Sequence, residues 1–325
     1  MRILVTGGSG FIGTNLVEHF VNQEHNVINL DIASPSYPKH GVYWKKVDVL
    51  NMSALVGAIQ AFQPEIILHM AARTDLDGKS QSAYSANIDG VRNLIKAIGN
   101  LSSLRRIVFA SSRLVCRIGY QPTSEHDYCP TTFYGQSKMI GEQIVRASSG
   151  SIPCPWIILR PTSIWGPWFN IPYKTFFLSI AKNRYFHPGN MQILKSFGFV
   201  GNTVYELQRI LEVSEDLIHA KTIYLADYPP INVTNMANSI QREMDSLPIR
   251  TLDIRLLRSI ALMGDIMKAI GWRNPPLTRF RLNNLITPMV HDLDPLKSIA
   301  GELPYNMEEG IRMTVSWMKS YGDLK

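Results

Sequence analysis

The sequence predicts an α/β protein: a doubly wound parallel sheet joined to a smaller, mixed and mostly helical lobe. Three observations predict it. Short apolar runs recur through the first 160 residues, helix-period segments separate them, and a glycine-rich turn follows the first run. Runs that are continuously hydrophobic, rather than alternating, belong to strands buried on both faces, which is the signature of a parallel sheet covered by helices.

Ile3-Leu4-Val5 is the first strand, and Leu16, Val17, Phe20 and Val21 mark one face of the helix after it. Val27 to Leu30, Ile66 to Leu68, Ile107 to Phe109 and Trp156 to Leu159 repeat the theme, with helices predicted near 52–62, 86–99 and 135–147. After Pro161 prolines and aromatics become dense and the alternation fades, although Ile223-Tyr224-Leu225 still reads as a core strand. The expected division is therefore 1–162 with 197–228 for a dinucleotide-binding domain, and 163–196 with 229–325 for a substrate-binding lobe. No internal repeat or low-complexity tract interrupts it.

Composition narrows the partners. The chain has 325 residues, 45 % of them hydrophobic and 18 % charged, and carries a formal net charge of +7. That is ample material for a core and excludes a disordered chain. The positive balance suits an anionic partner. Phosphate-bearing small molecules, nucleic acid and an acidic membrane surface all fit it, although the basic residues form no run resembling a nucleic-acid-binding arm. Three cysteines, Cys116, Cys129 and Cys154, lack metal-type spacing and are expected to be reduced thiols of a cytoplasmic protein without a metal site. No secretory signal is expected, and no membrane span either: Leu256 to Ile270, the most apolar stretch, is interrupted by Arg258, Asp265 and Lys268 and reads as an amphipathic surface helix.

Thr6-Gly7-Gly8-Ser9-Gly10-Phe11-Ile12-Gly13 lies between the first strand and the first helix. Gly7, Gly10 and Gly13 permit a tight turn, close backbone approach to a pyrophosphate and close helix packing. The helix start then offers unpaired N–H groups to phosphate. Asp31 ends the second strand, 18 residues past Gly13. A carboxylate there accepts from ribose hydroxyls and repels a 2′-phosphate, which favours NAD over NADP. Asp48 is a candidate partner of the adenine amino group, or else an ordinary surface carboxylate.

Tyr134 and Lys138 are four apart at the start of a helix and share one face. An ammonium near a phenol stabilises the phenolate and makes the tyrosine usable as a base. Ser111-Ser112 follows the strand ending at Ala110, where ligands bind in such sheets. Ser112 is thus placed to hydrogen-bond a substrate oxygen.

Gly7 to Gly13, His69-Met70-Ala71-Ala72, Asn87-Ile88-Asp89-Gly90, Ser111-Ser112, Tyr134 with Lys138, and Leu159-Arg160-Pro161 with Trp165-Gly166-Pro167 occur together in this order. In order and spacing they resemble the extended short-chain dehydrogenase/reductases, and more narrowly the NAD-dependent epimerase/dehydratase family, whose Rossmann fold serves nucleotide-linked sugars. The resemblance spans roughly residues 1–170 and continues weakly to Glu308-Glu309-Gly310. It implies Tyr134 as the proton carrier, Lys138 as the group that binds the nicotinamide ribose and lowers the tyrosine pKa, and Ser112 as the group that orients the sugar oxygen. It further implies Gly7, Gly10, Phe11, Ile12, Gly13, Asp31, Ala71, Ala72 and Pro161 around NAD, with Asn87 bracing the central helix.

Departures from the family pattern refine the reaction. Dehydratases carry Asp-Glu directly after the serine, where this chain has Arg113 and Leu114. Dehydration therefore lacks its acid and base. Cys116-Arg117 replaces a Tyr-Gly pair, and Ser163 replaces an asparagine that often touches substrate diphosphate, so the usual sugar-nucleotide pose is altered. Lys195, Arg279 and Arg281 are candidates for the diphosphate, or else ordinary surface charges. An NAD-retaining epimerase acting on a nucleotide-linked sugar through a keto intermediate needs only Ser112, Tyr134 and Lys138. The alternative is an oxidoreductase with the same three residues, either a keto-sugar reductase or a hydroxysteroid-type dehydrogenase. Helices around 86–99 and 135–147 are the candidate face for a homodimer.

Overall fold

A computed structural model describes residues 1–272, 275 and 277–324. In chain order the elements are β1 (Arg2–Thr6), α1 (Phe11–Asn22), β2 (Asn26–Asp31), β3 (Trp44–Lys46), α2 (Met52–Phe62), β4 (Ile66–His69), α3 (Ser85–Ile98), β5 (Arg106–Ala110), α4 (Phe133–Ala147), β6 (Trp156–Pro161) and β7 (Ser163–Trp165). There follow α5 (Tyr173–Ala181), β8 (His187–Pro188), β9 (Leu194–Lys195), β10 (Phe197–Phe199), α6 (Val200–Glu212), β11 (Lys221–Leu225), β12 (Ile231–Asn232), α7 (Val233–Glu243), β13 (Thr251–Leu252), α8 (Ile254–Ala269), α9 (Arg279–Ile286), α10 (Asp294–Ala300) and α11 (Met307–Ser320).

The chain forms two compact units. The first comprises Met1–Phe169, Gly198–Tyr228 and His291–Tyr305, and the second Asn170–Phe197, Pro229–Val290 and Asn306–Lys325. Residues 163–169 and 291–305, expected from sequence in the lobe, lie in the first unit. The cause is apolar packing: Trp165 meets Phe199 at 5.2 Å between ring centroids, and Leu293, Leu296 and Ile299 join Leu207 and Ile210 in one buried cluster.

Seven parallel strands build the first unit's sheet in the order β11-β6-β5-β4-β1-β2-β3. Successive side chains of a strand face opposite layers. Ile3, Val5 and Leu68 accordingly join the α1, α6 and α10 side, whereas Leu4, Ile67 and Ile107 join the α2, α3 and α4 side. Fully burying such a side chain contributes roughly 1.5–3 kcal/mol, and the polar side chains buried on these strands, Thr6, Asn29, His69 and Arg160, are exceptions to an otherwise apolar filling. Strand order reverses between β1 and β4, and in such sheets a crevice opens at the carboxyl ends of the strands on either side of the reversal.

The second unit has no extended sheet among its described residues. It contains the antiparallel pair β12–β9 and the parallel pair β13–β8, each two residues long. Its helices are held locally. Asn306 and Glu309 form a reciprocal capping box at the start of α11, and Leu257, Ala261 and Leu282 make a small core between α8 and α9. Among the described residues, no helix is long and apolar enough to cross a membrane.

Candidate active site

The glycine turn is built by close approach. Gly7 has φ +72°, and a Cβ there would stand 2.6 Å from the Ala71 backbone nitrogen. A Cβ on Gly13 would collide with the Gly7 carbonyl oxygen. Side chains are therefore excluded where the backbone turns into α1, and Gly10 caps that helix without a side-chain acceptor of its own. The cradle fits a pyrophosphate, whose oxygens would meet the helix's free N–H groups. Phe11 and Ile12 open the helix and are half-buried.

Asp31 sits at the end of β2 with both oxygens engaged. Oδ2 accepts from the Ser9 N–H at 3.0 Å and Oδ1 from the Ala33 N–H at 2.9 Å. These bonds fix the carboxylate beside the glycine turn, where an adenosine ribose fits. Asp48 is exposed and accepts from the Leu50 N–H at 2.9 Å. Ala71 and Ala72 follow β4, next in the sheet to β1, and the Ala71 N–H donates to Thr6 Oγ1 at 3.3 Å. Pro161 ends β6 and is half-buried.

Ser112 caps a short 3-10 turn after β5, its Oγ accepting from the Leu114 N–H at 3.1 Å. Its hydroxyl acts on the Tyr134 phenol and favours the phenolate. Thr132 caps α4 through the Gly135 N–H at 3.0 Å, which starts the helix so that Tyr134 lies in its first turn. Lys138, one turn later, donates from Nζ to the Ala110 carbonyl at 2.8 Å. The structure thus unites Ser112, Tyr134 and Lys138 at the carboxyl end of β5.

Electrostatics at this point depart from the sequence expectation. Burial raises the Tyr134 phenol above its ordinary value, and the groups pulling it back are the Ser112 hydrogen bond and the Arg113 charge. Lys138 was expected to provide that pull. Its own pKa is lowered to about 8 by burial, with the Glu142 carboxylate opposing the fall. Arg113 is itself 8 % exposed, so the cation that replaces the dehydratase acid lies in a low-dielectric setting where its charge is felt strongly.

Sequence reasoning missed the carboxylate beneath the site. Glu142, one further turn along α4, accepts from Ser111 Oγ, from Tyr128 Oη at 2.9 Å, and from Arg160 Nε and Nη2 at 2.9 and 2.8 Å. Both members of the Glu142–Arg160 pair are 1 % exposed. A buried pair offsets its desolvation cost only when its hydrogen bonds are filled, and removing one partner typically costs about 3–5 kcal/mol. The i, i+4 step from Lys138 was the available signal. Asn87 ties the same region together, bonding the Arg73 backbone twice (2.8 and 3.0 Å) and Ser137 Oγ at 2.8 Å.

The remaining candidates are placed as follows. Ser163 is buried on β7. Lys195, Arg279 and Arg281 belong to the second unit. Lys195 is buried and donates to the Asn284 carbonyl. Arg279 pairs with Asp265, and Arg281 donates to the Pro275 carbonyl at 2.8 Å. Among the described residues no group of three metal-ligating side chains occurs.

Comparison with known proteins accords with this geometry. Over its whole length the chain is similar to the N-acetyl-alpha-D-glucosaminyl-diphospho-ditrans,octacis-undecaprenol 4-epimerase of Escherichia coli O157:H7, at 25 % identity over 97 % of this chain and 95 % of that one. It is 24 % identical to a decarboxylating sterol-4-alpha-carboxylate 3-dehydrogenase of Candida albicans, over 97 % of each chain. The crystal structure of UDP-glucuronic acid 4-epimerase from Bacillus cereus in complex with NAD shares the fold, with a TM-score of 0.76 at 17 % identity over 99 % of each chain. Residues 3–190 match the sequence profile of one family, and the chain belongs to it: the NAD dependent epimerase/dehydratase family.

Proposed function

We propose that the chain is an NAD-dependent epimerase of a nucleotide-linked sugar, inverting one carbon through a transient keto sugar. The observation that carries this reading is the placement of Ser112, Tyr134 and Lys138 together at the carboxyl end of β5, with Lys138 one helical turn from Tyr134, unaccompanied by the Asp-Glu pair that dehydration requires. Bound NAD supplies a hydride acceptor and donor. Tyr134, as phenolate, takes the proton of the sugar hydroxyl and later returns it to the same oxygen. Ser112 holds that oxygen in line, so the proton moves between fixed partners. Arg113 favours the phenolate by its charge, and Lys138, anchored on the Ala110 carbonyl, presents its cation to the nicotinamide ribose. Glycines 7, 10 and 13, Phe11 and Ile12 hold the pyrophosphate, while Asp31 takes the adenosine ribose and Asp48 the adenine. Ala71, Ala72 and Pro161 flank the nicotinamide end.

Ser163, Lys195, Arg279 and Arg281 are proposed for the substrate. The 4-epimerase names of the Escherichia coli and Bacillus cereus proteins support C4 as the inverted carbon. A cytoplasmic location and a homodimer formed through α3 and α4 complete the reading. Purified protein should interconvert two sugar nucleotides, from a panel of UDP-, GDP-, CDP- and dTDP-sugars, without added cofactor. A stoichiometric demand for NAD(P)H with release of a reduced product would overturn it. That outcome would favour the second reading, a net oxidoreductase with the same three residues, which the whole-length similarity to the sterol dehydrogenase supports.

A further inference from the structure

Helix α8 carries two apolar stripes. Leu257, Ala261 and Gly264 form the buried one, packed with Leu282 of α9. Leu256, Ile260, Met263, Ile266 and Ile270 form the other, recurring at steps of three and four residues and therefore along one line of the helix. These five are between 40 and 80 % exposed. Trp272, just past the helix, and Phe280 on α9 are each about half exposed as well, at 52 and 47 %. A water-facing helix normally turns a polar face outward, and contiguous exposed apolar surface of this kind marks an interaction site.

Charge decides among occupants. Residues 254–286 hold six Lys and Arg against one acidic residue, Asp265, and so account for five of the chain's seven net positive charges. Arg255 lies along the edge of the exposed stripe and Arg258 farther round the helix, and both are exposed. Two such faces brought together in a homodimer would set like charges against each other. An anionic bilayer meets both needs: its acyl boundary takes the apolar stripe and the indole of Trp272, and its headgroups take the guanidinium groups.

We infer that α8, with Trp272 and Phe280, is a peripheral docking face that lies in the surface of an anionic membrane without crossing it. The inference is independent of the reaction proposed above. It is tested by co-sedimentation of the full chain with phosphatidylcholine vesicles and with vesicles containing about one third phosphatidylglycerol. Binding is expected to the anionic vesicles, to weaken with added salt, and to be at least about tenfold poorer on phosphatidylcholine alone. Met263→Glu with Ile266→Glu should reduce binding by at least about tenfold. Arg255→Gln with Arg258→Gln should reduce it roughly fivefold per arginine and erase the preference between vesicles. All four side chains face water, so thermal unfolding followed by circular dichroism should be unchanged, and the arginine pair tests the surface even where the glutamates disturb folding. Sedimentation to neither vesicle, or equal binding by both variants and the parent chain, overturns the inference. A dimer that the glutamate pair dissociates, with no vesicle binding by the parent chain, would instead make this face a contact between copies.

Discussion

The sheet of the first unit and the α8–α9 pair of the second are both rich in Ile, Leu and Met or Val, yet they dispose of these side chains in opposite ways. The inner strands of the sheet find apolar partners on two faces, so Ile3, Leu4 and Val5 are all fully buried although they point alternately up and down. Among the described residues, helix α8 finds buried partners for one stripe only. The contrast shows that apolar content does not by itself make a core: long parallel strands multiply neighbours on both sides, whereas a helix paired with one neighbour leaves half its circumference to something else. The polar chemistry follows the same division. Where burial is complete the charged groups are paired, Glu142 with Arg160 and Lys138 with the Ala110 carbonyl, whereas in α8–α9 the Arg279–Asp265 pair lies in solvent, where it contributes little.

The largest effect belongs to the buried phenol. Tyr134→Phe should lower turnover by about two to four orders of magnitude while leaving NAD binding intact; near-parent turnover would take the proton-carrying role away from Tyr134. Next comes the packing contrast itself. Leu68→Ala in β4 should cost about 2–5 kcal/mol by urea denaturation, whereas Leu262→Ala on the outer side of α8 should stay within about 0.5 kcal/mol. Equal losses at the two sites would abolish the distinction drawn between the regions.

A third measurement follows stability with pH in the first unit. Asp227 is raised by burial to about 7, and Glu206, whose carboxylate oxygens have no hydrogen-bond partner, is raised well above its usual range by burial and by the Asp227 charge. Carboxyls raised in the folded state contribute stability that is whole below their unfolded value near 4 and is lost as pH climbs through the folded values. Stability should therefore decline from about pH 5 to pH 8, and Glu206→Gln should shrink that decline; an unaltered slope would remove Glu206 as its source. The smallest expected effect is kinetic. Arg113→Leu removes a cation that favours the phenolate, so the acidic, ascending limb controlled by Tyr134 as base should shift upward by roughly one pH unit or less, read from a pH–rate profile with NAD affinity unchanged.

Much of this architecture was legible in the residues. The apolar runs at 3–5, 66–68, 107–109 and 156–159 all lie in strands of one sheet, because a strand buried on both faces is filled mainly by apolar side chains. The glycine turn was legible for a related reason: positions that exclude a Cβ leave a mark that does not depend on distant context. Glu142 left no such mark. A carboxylate on a helix is ordinary until Ser111, Tyr128 and Arg160 arrive from other segments to fill its oxygens. Residues 291–305 were misplaced in the lobe for the same reason, since only packing against α6 assigns Leu296 and Ile299 to the first unit.

The sequence by itself determined what depends on neighbours in the chain: the alternation of strands and helices, the glycine turn between the first strand and the first helix, and the four-residue step that puts Tyr134 and Lys138 on one face. Tertiary structure alone decided what depends on distant partners. It made Arg113 and Ser112, ahead of Lys138, the groups that draw down the Tyr134 phenol. It sealed Glu142 against Arg160, and it used one stripe of α8 while leaving the other exposed. Local spacing fixes direction along an element, but charge, burial and packing are set by whatever the fold brings alongside.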